Sequence, residues 1–419
     1  MANFSPEIFQ LILNELKYDP YDGLEALLNL RLVSKTVNAI TIPLFFSVLL
    51  VRDDLESARA VSFLQRCDES IRTAVREVVF EADNEEFALG AWKGGIAIAM
   101  SWRHGQGTTL KQSEALYAKE RTALTNFFSR LSNFPNLRRL RFNFYSSYEE
   151  GPKKDPIAAT CAATHFLRKQ NALLEALAKN PPPPLTSLVM TNLIGVHDDV
   201  YHAEEFQVIF RTLKRLEISV LSNPHGDFVA EADESFQQCS DFWEFNLSDM
   251  VRNSTSLTSL TLGSDDCGAG LHIHLRDVFL PQLSELVLHN FILDPSWAES
   301  DLALLATRHK NTLSHLELHG CSVRCQQNDQ RNVLRPWHAV FELFEAELSK
   351  LRRFVFLDDQ GKEGFLQRGR FLYTVLPTAG RDPTTFVHYD GRVNGEELDL
   401  PAFKRLVANV ELRLKAQAL

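Results

Sequence analysis

The chain of 419 residues has only six cysteines, and most of them lie far apart. Such sparse cysteines argue against a disulfide framework and indicate reduced thiols in an intracellular protein. The longest apolar run, residues 39–51, is interrupted by Thr41, Pro43 and Ser47 and is too short to cross a bilayer. A basic start followed by a cleavage site is also missing. We therefore expect a protein of the cytosol or nucleus, with no membrane partner.

Sequence motifs for catalysis are missing as well. Glycine-rich phosphate loops, G-x-S-x-G, H-E-x-x-H and C-x-x-C do not occur. The glycine-rich stretch 90–107 lacks the Gly-Lys-Ser/Thr ending that holds nucleotide phosphates and is expected to be an inserted loop or hairpin. The formal net charge of -10 argues against nucleic acid as a principal ligand, because phosphate binding needs a basic surface. We expect no enzyme activity, no cofactor and no nucleic-acid partner.

The chain does contain a repeated six-residue figure. It consists of a leucine, two variable residues, a bulky apolar residue, one variable residue and a second bulky apolar residue. Seven copies begin at Leu137, Leu185, Leu213, Leu257, Leu283, Leu313 and Leu351. The two bulky residues alternate with a variable one, which predicts a short strand with one buried side.

Apolar residues at helical spacing occupy the intervals between the copies. Helices are predicted over Leu124 to Leu131, Phe166 to Leu177, Trp243 to Val251 and Trp337 to Leu348, the second of them stopped by Asn180 and four prolines. One strand and one helix per unit is the pattern of a leucine-rich repeat array. We therefore predict an α/β protein, an irregular leucine-rich repeat solenoid of short parallel strands that alternate with helices.

The ends of the array are less regular. A degenerate copy is expected at Val75, Val78 and Phe80, and residues 45–51 are expected to supply a first strand. Only the copy at Leu313 places a cysteine, Cys321, in the turn after the strand, where consensus repeats have asparagine or cysteine. A helix that begins near Pro401 and runs to about residue 417 is expected to cap the C-terminal end.

The N-terminus predicts three short helices that need a partner. Ser5, Pro6 and Glu7 form a good helix start, and apolar residues follow at helical spacing. Three short helices in about forty residues scarcely bury enough surface to be stable alone. The segment should therefore pack against another protein or against the array.

Two runs in this segment resemble the F-box, in the form that fungi combine with leucine-rich repeats. They are FSPEIFQLILNEL, from Phe4, and LLNLRLVSKTVNAITIPLFF, from Leu27. Phe4 and Ser5 stand where the family usually has leucine and proline, and the loss of a rigid proline is expected to lower affinity for the adaptor. The resemblance covers roughly the first 48 residues in motif and the rest only in architecture.

The resemblance implies that residues 1–48 form an F-box-like module and that residues 49–419 select a protein substrate. In that family the module binds the Skp adaptor subunit of cullin-RING ubiquitin ligases. The positions carried over to this contact are Phe4, Pro6, Glu7, Ile8, Ile12, Leu16, Leu30, Leu32, Val33 and Ser34. The alternative is a non-ligase interaction scaffold whose N-terminal helices only cap the array.

The substrate and its contacts cannot be read from the sequence. Variable strand positions are expected on exposed strand surface: Arg138, Arg141, Thr186, Lys214, Glu217, Thr258, Thr261, Glu285, His315, Glu317 and Arg352. Acidic pairs at 149–150, 198–199, 265–266 and 358–359 either form an acidic rim that steers a basic partner or solvate turns, and we favour the latter.

One group of residues has the composition of a zinc site. His315, His319, Cys321 and Cys325 are ligand types that zinc accepts. Both histidines lie in variable strand positions, however, and Cys321 is expected to serve the repeat turn. We therefore expect no metal.

Overall fold

The computed structural model describes residues 41–43, 45–82, 110–144, 156–221, 241–264, 273–293, 302–325, 333, 335–357, 371–375, 387–388 and 393–416. The F-box-like positions from Phe4 to Ser34, the glycine-rich stretch and three of the four acidic pairs lie outside these residues. The chain divides into two compact units, residues 1–147 with 154–189 and residues 148–153 with 190–419.

In the first unit, parallel strands alternate with helices. The strands are β1 (Val48–Arg52), β2 (Glu77–Glu81), β3 (Arg139–Asn143) and the beginning of β4 (Ser187–Ile194). The helices are α1 (Leu55–Leu64), α2 (Glu69–Ala74), α3 (Leu110–Phe128) and α4 (Pro156–Lys179), with a 3₁₀ turn at Leu131–Asn133. Each strand is parallel to the next along the chain, β1 to β2 and β2 to β3.

The second unit continues the same alternation from the end of β4. Its strands are β5 (Arg215–Leu221), β6 (Ser259–Ser264), β7 (Glu285–His289), β8 (Ile292–Leu293), β9 (His315–His319), β10 (Ser322–Arg324), β11 (Arg353–Leu357), β12 (Tyr373–Val375) and β13 (Val387–His388). Its helices are α5 (Glu204–Phe210), a π-helix (Phe242–Leu247) that runs into α6 (Ser248–Asn253), α7 (Leu302–Arg308), α8 (Trp337–Glu347) and α9 (Asp399–Lys415). Short 3₁₀ turns lie at Asp199–His202 and Glu396–Leu398.

These strands belong to two sheets. In the second unit β5, β6, β7, β9 and β11 follow one another in parallel. A smaller sheet has the order β13-β12-β10-β8, in which β13 alone is antiparallel. The prediction of an α/β chain in which a large parallel sheet alternates with helices is therefore confirmed.

Every predicted repeat forms a strand that begins two residues after its leading leucine. All seven leading leucines are at most 1% exposed. The bulky residues that follow are buried too, except Phe354, which is half-buried. Burial of one such side chain contributes roughly 1.5–3 kcal/mol. Because backbone ordering costs about 1–2 kcal/mol per residue, a single repeat cannot offset the cost of its own ordering, and each strand must share buried side chains with neighbouring repeats of its unit.

The four helices predicted between the repeats and the C-terminal helix are present, and the three predicted N-terminal helices lie outside the described residues. The degenerate repeat forms β2, with Val75, Val78 and Phe80 buried. The helix expected over Trp243 to Val251 contains the π-helix, which its apolar spacing did not predict. The expected strand over residues 45–51 was wrong at its start: Phe45 is helical and buried, and β1 begins at Val48. Pairing with β2 begins at Ser47, whose carbonyl accepts the N–H groups of Arg76 and Glu77.

Left-handed residues stand seven positions after the leading leucine in three of the repeats, within β4 and directly after β7 and β9. They are Asn192, Asn290 and Gly320, with φ near 58–59°, and glycine and asparagine adopt this conformation at least cost. Asn290 also joins its neighbours, because its backbone N–H donates to the His319 carbonyl and its side chain donates to the Ser264 carbonyl. Cys321, directly after Gly320, is fully buried with Sγ 3.5 Å from the Leu288 carbonyl oxygen.

Candidate interaction surface

Charged side chains line the outward side of β5, β7, β9 and β11 in the second unit, while β6, between β5 and β7, places Ser259, Thr261 and Gly263 on that side. Inward residues alternate with outward ones, so the first and third residues of each strand share this side. In register, Glu285 lies beside His315, and His315 beside Arg353. We call the following residues the charged strand face: Arg215, Glu217, Glu285, His289, His315, Glu317, His319 and Arg353.

Glu317 is the centre of this face. Its Oε1 accepts a hydrogen bond from His315 Nε2 at 2.6 Å and lies 3.2 Å from Arg353 Nη2. Its Oε2 accepts a hydrogen bond from His319 Nε2 at 2.9 Å. Because a carboxylate only accepts, each histidine carries its proton on Nε2 in this arrangement. The three donors hold Glu317 in one orientation.

The surroundings of Glu317 favour its ionised form. Burial acts to raise the pKa of Glu317, but the hydrogen bonds from His319 and His315 outweigh burial and lower it. A carboxylate held in this way is a poor general base. His289, whose ring centroid lies 4.4 Å from that of His319, has its pKa lowered by burial and by the neighbouring histidine. Glu317 is therefore ionised and His289 neutral near neutral pH.

The remaining carboxylates of the face also have cationic or histidine neighbours. Glu217 Oε2 lies 2.8 Å from Arg215 Nη2, and Glu285 Oε1 lies 3.7 Å from His315 Nδ1. The side chains of Arg215, Arg353 and Glu285 remain partly open to solvent. Such partly exposed, internally paired charges suit polar contacts with another molecule more than they suit acid–base chemistry.

The strand positions expected on the surface are all exposed or half-buried. The structure brings Glu217, Glu285, His315 and Glu317 into the charged strand face. Sequence reasoning missed Arg139, Arg215, His289 and Arg353 as members of the strand surface. Strict alternation from the inward leucines would have found the arginines, because each is the first residue of its strand.

The residues of the suggested zinc site do not converge. His315 and His319 both bind Glu317, and Cys321 faces the Leu288 carbonyl. Burial raises the pKa of the Cys321 thiol to about 12 and that of Cys325 to about 11, which disfavours the thiolates that zinc needs. Within the described ranges no group of three potential ligands is arranged to hold a metal ion.

Two further polar clusters join elements of the second unit. Asn246 of the π-helix is fully buried and bridges His197 Nδ1 at 3.0 Å and His202 Nε2 at 2.9 Å. Asp399, at the start of α9, accepts hydrogen bonds from the Tyr373 hydroxyl and from the His338 backbone N–H. These bonds satisfy buried polar groups and fix neighbouring elements. We assign both clusters to the fold.

Of the four acidic pairs named from the sequence, Asp198 and Asp199 are the pair within the described residues, and they belong to a turn. Asp198 Oδ1 accepts from the Val200 N–H and caps the 3₁₀ turn, as the favoured reading of these pairs expects.

The chain matches no model of a protein family and no curated protein. Among the described residues, none of the helices has both the length and the apolar character that a membrane span requires.

Proposed function

We propose that the chain is an irregular leucine-rich repeat protein that recognises another protein through its strand surface. The observation that carries this proposal is the charged strand face, where partly exposed side chains of β5, β7, β9 and β11 lie on one side of parallel strands that pair in register. A repeated strand with one buried side necessarily presents its other side chains as one continuous row. Extended rows of this kind suit macromolecular partners rather than small molecules.

We further propose that this recognition serves a ubiquitin ligase. The support is the F-box resemblance of residues 1–48, in particular Pro6, Glu7 and the run from Leu30 to Ser34. In such a ligase the N-terminal module binds the Skp adaptor, and the repeats bind the substrate in the cytosol or nucleus. The chain then contributes no chemical step, because the ligase accelerates transfer by holding the substrate near charged ubiquitin.

Copurification with the Skp adaptor tests the ligase proposal. The full chain should capture the adaptor, and Ile12→Asp or Leu32→Asp should abolish capture by placing a charge in an apolar contact. A matched control is Leu412→Asp, which changes an exposed leucine of α9 and should leave capture intact. Thermal unfolding of each variant checks that it folds.

Unchanged capture by folded Ile12→Asp and Leu32→Asp variants contradicts the F-box assignment. No capture by the wild-type chain leaves the non-ligase scaffold as the better description.

A further inference from the structure

The first unit has a strand surface of a different character. Arg76, Arg138, Arg139 and Arg141 are all exposed, and two of them, Arg139 and Arg141, lie within 4.0 Å of one carboxylate, that of Glu77. Arg76 adjoins the others because its carbonyl accepts the N–H groups of Arg138 and Arg139. We call the four arginines the arginine cluster.

Glu77 neutralises only part of the arginine cluster. Its Oε2 lies 2.9 Å from Arg139 Nη2, and its Oε1 lies 4.0 Å from Arg141 Nε. Among the described residues, no other carboxylate lies within ion-pair distance of the four arginines. The side chains of Arg139 and Arg141 are 56% and 47% exposed, whereas Glu77 is 13% exposed. Guanidinium groups that can still donate hydrogen bonds therefore face solvent.

This local excess of positive charge contrasts with the rest of the molecule. The whole chain carries a formal charge of -10, yet here four arginines lie near two carboxylates of β2, Glu77 and Glu81, of which only Glu77 is within ion-pair distance. On the charged strand face each of the carboxylates has a cationic or histidine neighbour. Like charges placed together without equal compensation raise the free energy of the fold. A complementary anionic partner would relieve that cost.

The spacing of the arginines indicates the shape of this partner. Arg139 and Arg141 lie on the same side of β3, two residues apart, which places their Cα atoms about 7 Å from each other. An extended peptide repeats its own same-side side chains at this interval. Arg139 and Arg141 both reach the carboxylate of Glu77, but Arg76 and Arg138 form no ion pair with it. The four guanidinium groups therefore match a series of carboxylates better than they match one phosphate.

We propose that the arginine cluster binds an extended, aspartate- or glutamate-rich segment of the partner protein. The proposal rests on the proposed function, since it names the class of protein that the strand surface recognises. It does not depend on the F-box, because the adaptor contact is assigned to residues 1–48.

Fluorescence anisotropy with the full chain tests the proposal. The probe is a short labelled peptide in which aspartate and serine alternate, and the comparison peptides replace aspartate by asparagine or by lysine. We expect the aspartate peptide to bind, and Arg139→Ala with Arg141→Ala to weaken binding by about tenfold or more. Added salt should weaken it too.

Two further variants separate this effect from misfolding. Arg211→Ala removes a similarly exposed arginine of the second unit, 53% exposed and 3.6 Å from Glu204, and should leave binding unchanged. Glu77→Gln removes the carboxylate that competes for Arg139 and Arg141, and should tighten binding by about twofold to fivefold. A gain in affinity cannot result from a damaged fold.

Several results would overturn the proposal. The proposal fails if the aspartate peptide does not bind, or if Arg211→Ala weakens its binding as much as Arg139→Ala with Arg141→Ala does. It also fails if the lysine peptide binds more tightly, or if the aspartate peptide binds only when its serines are phosphorylated. Tighter binding of a single-stranded oligonucleotide would assign the cluster to nucleic acid instead. Adaptor capture is measured separately, so failure here leaves the ligase proposal standing, and failure of capture leaves this site standing.

Discussion

Asp53 and Lys169 form a buried ion pair in the first unit. Lys169 Nζ lies 2.6 Å from Asp53 Oδ1, and both side chains are almost fully buried. Glu120 of α3 is buried near them. Burial raises the pKa of Glu120 to about 7, the charge of Lys169 opposes this, and Asp53 and Asp54 add to it. The site holds more carboxylates than one lysine can compensate, so Glu120 accepts a proton near neutral pH.

Glu120 should make stability depend on pH. The pKa of Glu120 in the folded chain lies above its ordinary value of 4.5, so folding favours the protonated form. Its stabilising contribution is complete below pH 4.5 and is lost as the pH rises through 7. We expect Glu120→Gln to become more stable relative to wild type by about 1–2 kcal/mol between pH 5 and 8.

Urea unfolding at several pH values measures this change. Glu175→Gln, at an exposed carboxylate paired with Lys179, is the control and should follow wild type. Parallel wild-type and Glu120→Gln curves across this pH range would show that Glu120 titrates normally.

His309 should act in the opposite direction. The Leu280 N–H donates to its Nε2 at 2.9 Å, so its Nδ1 carries the proton and donates to the Leu305 carbonyl at 2.8 Å. A second proton would break the bond to Leu280. Burial lowers the pKa of His309 below 6.5, so its contribution is complete above pH 6.5 and is lost as the pH falls through the lowered pKa.

The test is His309→Gln, measured by urea unfolding at pH 7 and at pH 5. We expect a loss of about 1–3 kcal/mol at pH 7 and a smaller loss at pH 5, since wild type has weakened there. The partly exposed His274 provides the control variant His274→Gln. An equal loss at both pH values would mean that His309 does not titrate in this range.

At the scale of elements, the spacing of apolar residues in the sequence predicted the longer strands and the helices. It did not predict the shortest strands or the π-helix. The strands of the seven repeats follow from alternating leucines, which any one-sided strand needs. Strands β8, β10, β12 and β13 span two or three residues each, too few for alternation to appear. The π-helix shares its apolar stripe with an ordinary helix, so composition cannot distinguish the two.

The left-handed turn residues were also missed, although a signal was present. Asn192, Asn290 and Gly320 occupy the same position after their leading leucines, and both residue types are enriched where φ is positive. The repeat consensus places its asparagine or cysteine one residue later, so the sequence pointed to Cys321 and not to Gly320.

Substitution at Gly320 tests this turn geometry. Its φ of 58° disfavours a Cβ, so Gly320→Ala should lower the free energy of unfolding by about 1–2 kcal/mol. The control is Gly263→Ala on β6, where an added Cβ would meet Ser219 Cβ at an ordinary distance of 3.4 Å. Thermal and urea unfolding should show a clearly larger loss for Gly320→Ala. Equal losses would show that backbone strain is not what selects glycine at Gly320.

At the scale of the whole molecule, the surface could be predicted only in part. The sequence shows which residue types occupy the variable strand positions, but not which of them meet. Glu285 lies beside His315, thirty residues later, and Glu77 lies beside Arg139, on the strand that follows α3. The number of residues between repeats varies, so the sequence does not predict which residues of neighbouring strands lie opposite each other. The charge pairs depend on this register and are known only from the structure. These ion pairs between neighbouring strands determine whether a strand surface is neutral or keeps a net positive charge.

Stacked strands also predict how the molecule responds to a cavity. Each core strand pairs with its chain neighbours, so a defect should weaken nearby repeats most. Leu140→Ala in β3 and Leu286→Ala in β7 each remove a leucine that is at most 1% exposed, and each should cost about 2–5 kcal/mol. Hydrogen exchange should show the largest loss of protection in β2 and β3 for the first variant. For the second, the largest loss should fall in β6, β7 and β9. Loss spread evenly over both units in either variant would mean that the whole chain unfolds as one cooperative body, and that neighbour pairing does not limit its local stability.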